Sequence, residues 1–292
     1  MDALKILTIG NSFTDSLTRY FKQVVESAGC GLTFDRANFG GCELARHWSY
    51  VEAEKNNPLC RVYQGGKRLC DILEREPWDI VTIQQASHDS WRPETFQPYA
   101  DNLIGYVGNH APQAEVVIQQ TWAYRADHPQ FLPGSPWGIS QQQMYDQLTA
   151  NYRKLGAECR LRIIPTGFAV ELTRRNGKVK FQNYDPALID TLNWPDLPPQ
   201  AGDVVGKSWW DKNPATGELK ICRDLIHLNL RGEYLQACVW FAFLYNRPVS
   251  EVKFVPDEIG GGDAAFLRET AQLAVDTFQP EEKNLVCNGN CE

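Results

Sequence analysis

The sequence has no excess of positive charge and no run of basic residues. Its 29 Lys and Arg residues are outnumbered by 36 Asp and Glu residues, which gives a formal net charge of -7 at pH 7. Proteins that bind nucleic acids depend on clustered Lys and Arg to neutralise the phosphates. The charge pattern therefore argues against a nucleic-acid partner.

Long apolar runs are also missing. The longest ones, such as residues 237–245, fall well short of the roughly 20 residues that a membrane-spanning helix needs, so no membrane partner is expected. The N-terminus lacks a basic region followed by an apolar segment and a small-residue cleavage site, which are the marks of a secretory signal. We expect a cytoplasmic protein, or a periplasmic or secreted one if a leader has been removed.

A compact cysteine framework is missing as well. The nine cysteines are odd in number and scattered, so we expect reduced thiols. Cys287 and Cys291 could pair or bind a metal, although incidental thiols in a polar tail are the simpler interpretation. The chain has 292 residues, of which 43% are hydrophobic, and this is enough for one large core. We predict a single domain over residues 1–280 and a tail over residues 281–292.

The first dozen residues predict a buried strand that runs into a turn carrying one serine. The apolar run of residues 6–9 is typical of a parallel strand covered on both faces, and Gly10 and Asn11 end it. From residue 14 the apolar residues follow helical spacing. At such a junction free backbone N–H groups favour negative charge. Ser12 is therefore either a nucleophile that also donates to an oxyanion, or merely a helix N-cap.

A carboxylate and an imidazole near the other end of the chain supply what a serine nucleophile needs. Asp224 precedes His227 by three residues, so within one turn both side chains can face the same way and the Asp can orient the ring. A serine hydroxyl is a poor nucleophile without an adjacent base. We therefore predict a triad of Ser12, His227 and Asp224.

These three features together resemble the SGNH (GDSL-like) hydrolase superfamily. The features are Gly-Asn-Ser-Phe at residues 10–13, Gly40-Gly41 after the next apolar stretch, and the Asp224-His227 pair. The first block, G-N-S-F-T, is similar to that of a poorly characterised bacterial branch, and the similarity covers residues 4 to about 170 and 220 to 280. The resemblance implies a serine esterase that needs no metal or cofactor. It also implies that the backbone N–H of Gly41 is an oxyanion donor.

The third block of that superfamily is where this sequence departs. An asparagine is expected after the strand at residues 80–83, but Gln84 and Gln85 follow instead. A glutamine amide offers the same N–H donor on a longer arm. We predict Gln85 as the third oxyanion donor, with Gln84 as the alternative. An ungapped match would place His88 there.

Strand and helix patterns alternate along the chain. The predicted strands are residues 4–9, 32–39, 80–83, 114–122 and 161–165. Right-handed crossovers between such strands build a doubly wound sheet. We predict an α/β fold with a mostly parallel five-stranded sheet and helices on both faces, the three-layer sandwich of SGNH hydrolases and flavodoxin-like proteins. The carboxyl ends of the strands then form the site, which brings Trp122 to the rim with Ser12, Gly41 and Gln85.

Residues 174–223 lack clear helical or strand periodicity and contain Trp194, Trp209 and Trp210. A long segment without regular elements is usually a lid, a binding loop or a disordered stretch, and three tryptophans argue against disorder. Aromatic faces pack against the C–H surfaces of sugar rings. We predict that this insertion covers the site, with bracing of the body as the alternative.

The substrate predicted from these features is an O-acyl ester, with O-acetyl groups on carbohydrate favoured by the tryptophans. Two alternatives stay open: a lipid or acyl-thioester hydrolase on the same fold, and a non-catalytic carbohydrate-binding protein. A dinucleotide-binding domain is excluded because residues 10–12 lack the G-x-G-x-x-G spacing. The side chains predicted to contact the substrate are Asn11, His47, Trp48, Gln84, His88, Trp122, Trp209 and Trp210. For His47 a structural role is an equal alternative.

Overall fold

Five short apolar segments form a parallel sheet in the order β2-β1-β3-β4-β5 in the computed structural model, which describes residues 3–278. All four pairings between neighbouring strands are parallel. The predicted fold class is therefore confirmed, and the strand order is that of a flavodoxin-like doubly wound sheet. The strands are β1 (Leu4–Gly10), β2 (Leu32–Asn38), β3 (Ile80–Ile83), β4 (Glu115–Gln119) and β5 (Ile163–Ile164).

Helices connect the strands in two groups, one on each face of the sheet. α2, α7, α8 and α9 pack against one another, and α3, α4 and α5 form the second group. The helices are α1 (Ser12–Asp15), α2 (Leu17–Ser27), α3 (Leu44–Asn56), α4 (Leu69–Leu73), α5 (Tyr99–His110), α6 (Gln141–Cys159), α7 (Thr166–Asn176), α8 (Leu230–Tyr245) and α9 (Gly261–Thr277). Short 3₁₀ segments lie at Pro93–Thr95, Pro129–Phe131, Pro186–Thr191 and Val249–Glu251.

The core lies on both faces of the sheet, which explains the continuous apolar runs in the strands. All four residues of β3 are buried, and so are Trp78, Trp122 and Trp240. α8 is buried around most of its circumference because it packs against both α2 and α9. Its N-cap is Asn229, whose side chain accepts N–H groups of the first turn.

The prediction that residues 174–223 lack regular structure is wrong. After α7 ends at Asn176, the segment enters an antiparallel hairpin of β6 (Val205–Lys212) and β7 (Leu219–Leu228). Most side chains of this two-stranded ribbon are exposed or half-buried on both faces. Strand periodicity in a sequence arises from one buried face, so the ribbon has no alternation to detect. Asp224 and His227 belong to this hairpin.

Within residues 3–278, all seven cysteines are free thiols, as predicted. Over the same range, every helix is too short or too polar to cross a bilayer. The predictions for Cys287, Cys291 and residues 281–292 lie outside the described residues.

Candidate active site

Three side chains from opposite ends of the chain meet in one hydrogen-bonded series. Ser12 follows the carboxyl end of β1, and its Oγ lies 2.8 Å from His227 Nε2. His227 Nδ1 lies 2.8 Å from Asp224 Oδ2. The structure thus places a hydroxyl, an imidazole and a carboxylate in the order that proton transfer from serine requires.

The environment of Asp224 keeps its carboxylate ionised. Burial raises the pKa of Asp224, but the hydrogen bonds from the His227 ring and from backbone N–H groups outweigh this effect and hold the pKa well below its usual value. Asp224 Oδ1 accepts the N–H groups of Ile226 and His227, both over 3.1 Å. An ionised carboxylate accepts the Nδ1–H of His227, which leaves Nε2 as the proton acceptor for Ser12.

A bulge in the hairpin turns His227 toward the serine. Asp224 pairs with Lys207 and Leu228 pairs with Val205, so residues 225–227 of β7 lie opposite Gly206 alone. On a regular strand, residues three apart point to opposite faces, and the extra residues cancel this alternation. Gly206 has φ +84, and a Cβ there would lie 3.0 Å from the Asp224 carbonyl oxygen. The shared turn predicted for the pair is therefore a bulge within a strand.

The buried side chain of Trp122 hydrogen-bonds to the backbone of this bulge. Its indole N–H donates to the Ile226 carbonyl oxygen over 2.9 Å. Its ring is fully buried and stacks on Phe13 with centroids 4.1 Å apart, and the Phe13 ring meets His227 edge-on at 5.6 Å. The prediction that Trp122 contacts substrate is wrong, because its ring is fully buried and its indole N–H is bonded to Ile226.

Arg125, which the sequence does not single out, anchors the same bulge through its backbone and also holds a buried ion pair. The Arg125 backbone N–H donates to the Leu225 carbonyl oxygen over 3.0 Å. The Arg125 guanidinium donates to both carboxylate oxygens of Asp127, over 2.7 and 2.9 Å, and Tyr184 adds a hydroxyl donor to Asp127 over 2.6 Å. The only signal in the sequence is Arg-x-Asp shortly after a strand, which is too common to be informative.

Gln236 of α8 fixes α1, the helix that carries Ser12, and the sequence does not single it out either. It is fully buried, its Nε2 donates to the Phe13 carbonyl oxygen over 3.0 Å, and its Oε1 accepts the Ser16 hydroxyl. A glutamine in the otherwise apolar stretch of α8 is the available signal. It indicates a buried polar contact, since such groups are hydrogen-bonded, but not its partner.

The glycine turn after β2 presents a free backbone donor. The Cys42 N–H donates to the Phe39 carbonyl oxygen over 3.0 Å, and Gly41 between them has φ +61. L-residues other than glycine rarely adopt this conformation. Over residues 3–278, the N–H groups of Ser12 and Gly41 have no acceptor. Both stay predicted oxyanion donors.

The prediction that Gln85 is an oxyanion donor is wrong. Its side chain is buried, its Nε2 donates to the Thr95 carbonyl oxygen over 2.8 Å, and its Oε1 accepts the Leu44 N–H over 3.0 Å. Gln84, the alternative, is also buried, and its Nε2 donates to Asn11 Oδ1 over 2.7 Å. The longer glutamine arms therefore reach neighbouring loops and hold them together.

The predicted substrate contact of His47 is also wrong. His47 is fully buried, with Nδ1 2.8 Å from the Tyr63 hydroxyl and Nε2 3.0 Å from the Gly10 carbonyl oxygen. Burial lowers the pKa of His47 to about 4. Trp48 packs edge-on against Tyr106 of α5. His47 therefore stabilises the body of the protein, and a substrate contact of the half-buried Trp48 stays a prediction.

His88 lies in a cluster of possible metal ligands. Its Nε2 is 3.0 Å from Glu43 Oε1, and the ligand atoms of His88, Glu43 and Asp89 lie within 4.8 Å of one another. Asp89 is also paired with Arg92 at 3.2 Å. The hydrogen bond and the ion pair satisfy the cluster without an ion. A substrate contact of His88 stays a prediction.

The tryptophans of β6 differ in their surroundings. Trp209 is 39% exposed and pairs with Cys222, two residues along the ribbon from the Lys207–Asp224 pair. Alternate residues and cross-strand partners share a face, so Trp209 lies on the same face as Asp224, about 7 Å along the strand. Trp210 instead donates its indole N–H to the Asp196 carbonyl oxygen over 2.8 Å, which anchors the preceding loop.

Comparison with known proteins identifies the family and the fold. A family model described as a domain of unknown function, DUF4886, matches residues 5–184, more than half of the chain. No curated protein matches. The solved structure of a DUF4886 family protein from Bacteroides uniformis ATCC 8492 aligns with 94% of this chain and 96% of that chain at 22% identity, with a TM-score of 0.72.

Other solved structures align less closely. A protein from Slackia heliotrinireducens, provisionally described as an SGNH hydrolase, aligns with 82% of this chain and 97% of that chain at 20% identity, with a TM-score of 0.48. An acetyl xylan esterase, AlAXEase, aligns with 82% of this chain and 98% of that chain at 14% identity, also with a TM-score of 0.48. These names describe those proteins and assign no activity to this one.

The solved DUF4886 structure shares the α/β fold of this chain along nearly its whole length. The match over residues 5–184 and the shared fold along nearly the whole chain lead to one assignment. The chain belongs to the DUF4886 family.

Proposed function

We propose that this protein is a serine esterase that hydrolyses O-acyl esters. The observation that carries the proposal is the series Ser12 Oγ to His227 Nε2 to Asp224, with both contacts at 2.8 Å. A structural serine or N-cap has no need of an imidazole oriented by a buried carboxylate. The fixed bulge that holds His227 supports the same interpretation, because catalysis depends on such positioning.

The reaction follows from the geometry. His227 Nε2 accepts the Ser12 proton as Oγ attacks the acyl carbonyl carbon, and the backbone N–H groups of Ser12 and Gly41 stabilise the oxyanion. The intermediate collapses with loss of the alcohol, which takes the proton from His227. Water then attacks the acyl-enzyme with His227 again as base, and the carboxylic acid leaves with Ser12 restored. Asp224 stabilises the imidazolium in both halves.

The substrate we propose is an O-acetyl group on a carbohydrate. Support comes from Trp209, which is 39% exposed on the hairpin face that carries Asp224. A sugar ring bound beside the triad can pack on an indole that lies about 7 Å along the ribbon from Asp224, since aromatic faces contact the C–H surfaces of sugars. Trp210 has a bracing role instead, because its indole N–H bonds to Asp196.

A panel of p-nitrophenyl esters from acetyl to octanoyl, measured beside acetylated sugars, tests this function. We expect hydrolysis that is fastest with acetyl, and a loss of about 10⁴-fold or more in kcat for Ser12→Ala, because triad members act as a unit. A preference for octanoyl would replace the carbohydrate assignment with a lipid or acyl-thioester hydrolase. Sugar binding without hydrolysis would indicate a non-catalytic carbohydrate-binding protein.

A further inference from the structure

The Asn11 side chain connects three segments that surround the nucleophile. It is only 2% exposed, and its Oδ1 accepts the Phe13 N–H over 3.1 Å and Gln84 Nε2 over 2.7 Å. Its Nδ2 donates to the Cys42 carbonyl oxygen over 3.0 Å. The amide therefore joins the serine turn, the end of β3 and the glycine turn after β2. The predicted substrate contact of this side chain is wrong, because its polar atoms are occupied within the protein.

The glycine turn is held at both ends by the two residues that precede Ser12. At one end, the Phe39 N–H donates to the Gly10 carbonyl oxygen over 3.1 Å. At the other end, the Asn11 amide donates to the Cys42 carbonyl oxygen. Gly41 lies between these two points, with open space around its Cα. These two attachments restrict the glycine turn.

From this geometry we propose that Asn11 is a positioning residue that fixes the Gly41 N–H relative to Ser12. The proposal rests on the esterase function, in which those two N–H groups stabilise one oxyanion. Two donors serve one oxygen only if their separation is set before the reaction. The Asn11 bond to Cys42 sets it, and Asn11 itself touches neither substrate nor reacting atoms.

The chemistry of the amide explains why an asparagine is needed at this position. The N–H donors of Phe13 and Gln84 both point at Oδ1, so the flipped amide would face them with its own N–H₂ group. This fixes Nδ2 toward Cys42. An aspartate would keep the acceptor for Phe13 and Gln84 but lose the donor, and its charge would face the Cys42 carbonyl oxygen. A serine would keep only the N-cap.

Two variants separate the bond to Cys42 from helix capping. In Asn11→Ser and Asn11→Asp the cap to Phe13 is retained and the bond to Cys42 is lost. We expect both to lower kcat on p-nitrophenyl acetate by about 10²-fold with KM within about threefold, the effect of losing one oxyanion donor. Ser140→Ala is the matched control, since Ser140 caps α6 far along the chain, and its kcat should stay at the wild-type value.

Amide hydrogen exchange by mass spectrometry gives a readout that does not depend on activity. We expect exchange in the peptide covering residues 39–43 to rise at least tenfold in both variants, while the peptide covering residues 224–228 keeps its protection. Unchanged exchange at residues 39–43 would overturn the proposal even if the wild type hydrolysed no ester. Faster exchange with unchanged kcat would overturn the catalytic role. An inactive wild type would contradict the esterase function, and the exchange data would still decide whether Asn11 holds the turn.

Discussion

The Trp122 indole N–H donates to the Ile226 carbonyl oxygen over 2.9 Å, so a buried tryptophan fixes the peptide that leads into His227. The same ring stacks on Phe13, the neighbour of Ser12. One side chain therefore contacts segments on both sides of the proton-transfer contact. This contact fixes His227 and Ser12 relative to each other, although they are far apart in the sequence.

Replacing Trp122 with phenylalanine tests this arrangement, because the variant keeps an aromatic ring against Phe13 and removes the N–H. We expect kcat to fall by about 10- to 100-fold, since small displacements of a catalytic group have effects of that size. Trp78→Phe is the matched control, because Trp78 is equally buried and donates to the Ile72 carbonyl oxygen over 3.0 Å. Similar losses of kcat in both variants would show a general effect of stability.

The Arg125–Asp127 pair gives a prediction on stability. Both side chains are almost fully buried, so Asp127→Asn leaves a buried guanidinium without its counter-charge. Breaking such a pair costs about 3–5 kcal/mol in the free energy of unfolding, which urea titration measures. Glu115→Gln is the control, since Arg162–Glu115 is also bidentate but half-exposed, and it should lose less than about 1 kcal/mol. Equal losses in the free energy of unfolding for Asp127→Asn and Glu115→Gln would contradict a stabilising role of the buried pair.

Glu54 gives the stability of this protein a distinctive pH dependence. Its carboxyl is buried, which raises its pKa to about 7, although the Leu69 N–H partly opposes the shift. The unfolded chain releases this proton near pH 4.5, so Glu54 favours the folded state at low pH. That contribution is lost as the pH rises to about 7.

Urea unfolding of the wild type and Glu54→Gln at pH 4 and pH 8 isolates this effect, because other titrating groups cancel in the difference. Relative to the wild type, the free energy of unfolding of the variant should rise by about 1–3 kcal/mol from pH 4 to pH 8. If the free energies of unfolding of the variant and the wild type differed by the same amount at pH 4 and pH 8, Glu54 would titrate alike in the folded and unfolded chains.

The two tryptophans of β6 should separate substrate recognition from bracing. Trp209→Ala should weaken kcat/KM for acetylated sugars by about 1–3 kcal/mol, comparable to losing a buried apolar contact, and spare p-nitrophenyl acetate. Trp210→Ala should lower the melting temperature, because it removes the bond to Asp196. If both variants affected both substrates equally, the carbohydrate assignment would lose its main support.

The parts of this fold that the sequence predicts are those set by local pattern and by chemistry. The inner strands are visible because both of their faces are buried, and β3 shows this in four consecutive apolar or β-branched residues. Ser12, His227 and Asp224 can be proposed from residue types alone, since a serine nucleophile needs a base and the base needs a carboxylate. Neither argument depends on knowing what packs nearby.

The parts that could not be predicted depend on tertiary partners. The amide of Gln85 is a donor wherever it points, and only the positions of Thr95 and Leu44 determine that it braces a loop. The bulge that presents His227 requires Gly206 on a strand paired across the ribbon, and that ribbon has no buried face to reveal it. In both cases the sequence specifies the functional group and the fold specifies its direction.

Covalent labelling of Ser12 tests the central claim most directly. Intact-mass and peptide-mass measurement after treatment with an organophosphonate fluoride should show one adduct, on the peptide containing Ser12. Labelling should be absent in Ser12→Ala and greatly slowed in His227→Ala, because the hydroxyl is reactive only when the imidazole 2.8 Å away accepts its proton. Adduct formation in Ser12→Ala equal to that of the wild type, or no adduct on the wild-type protein, would contradict the account.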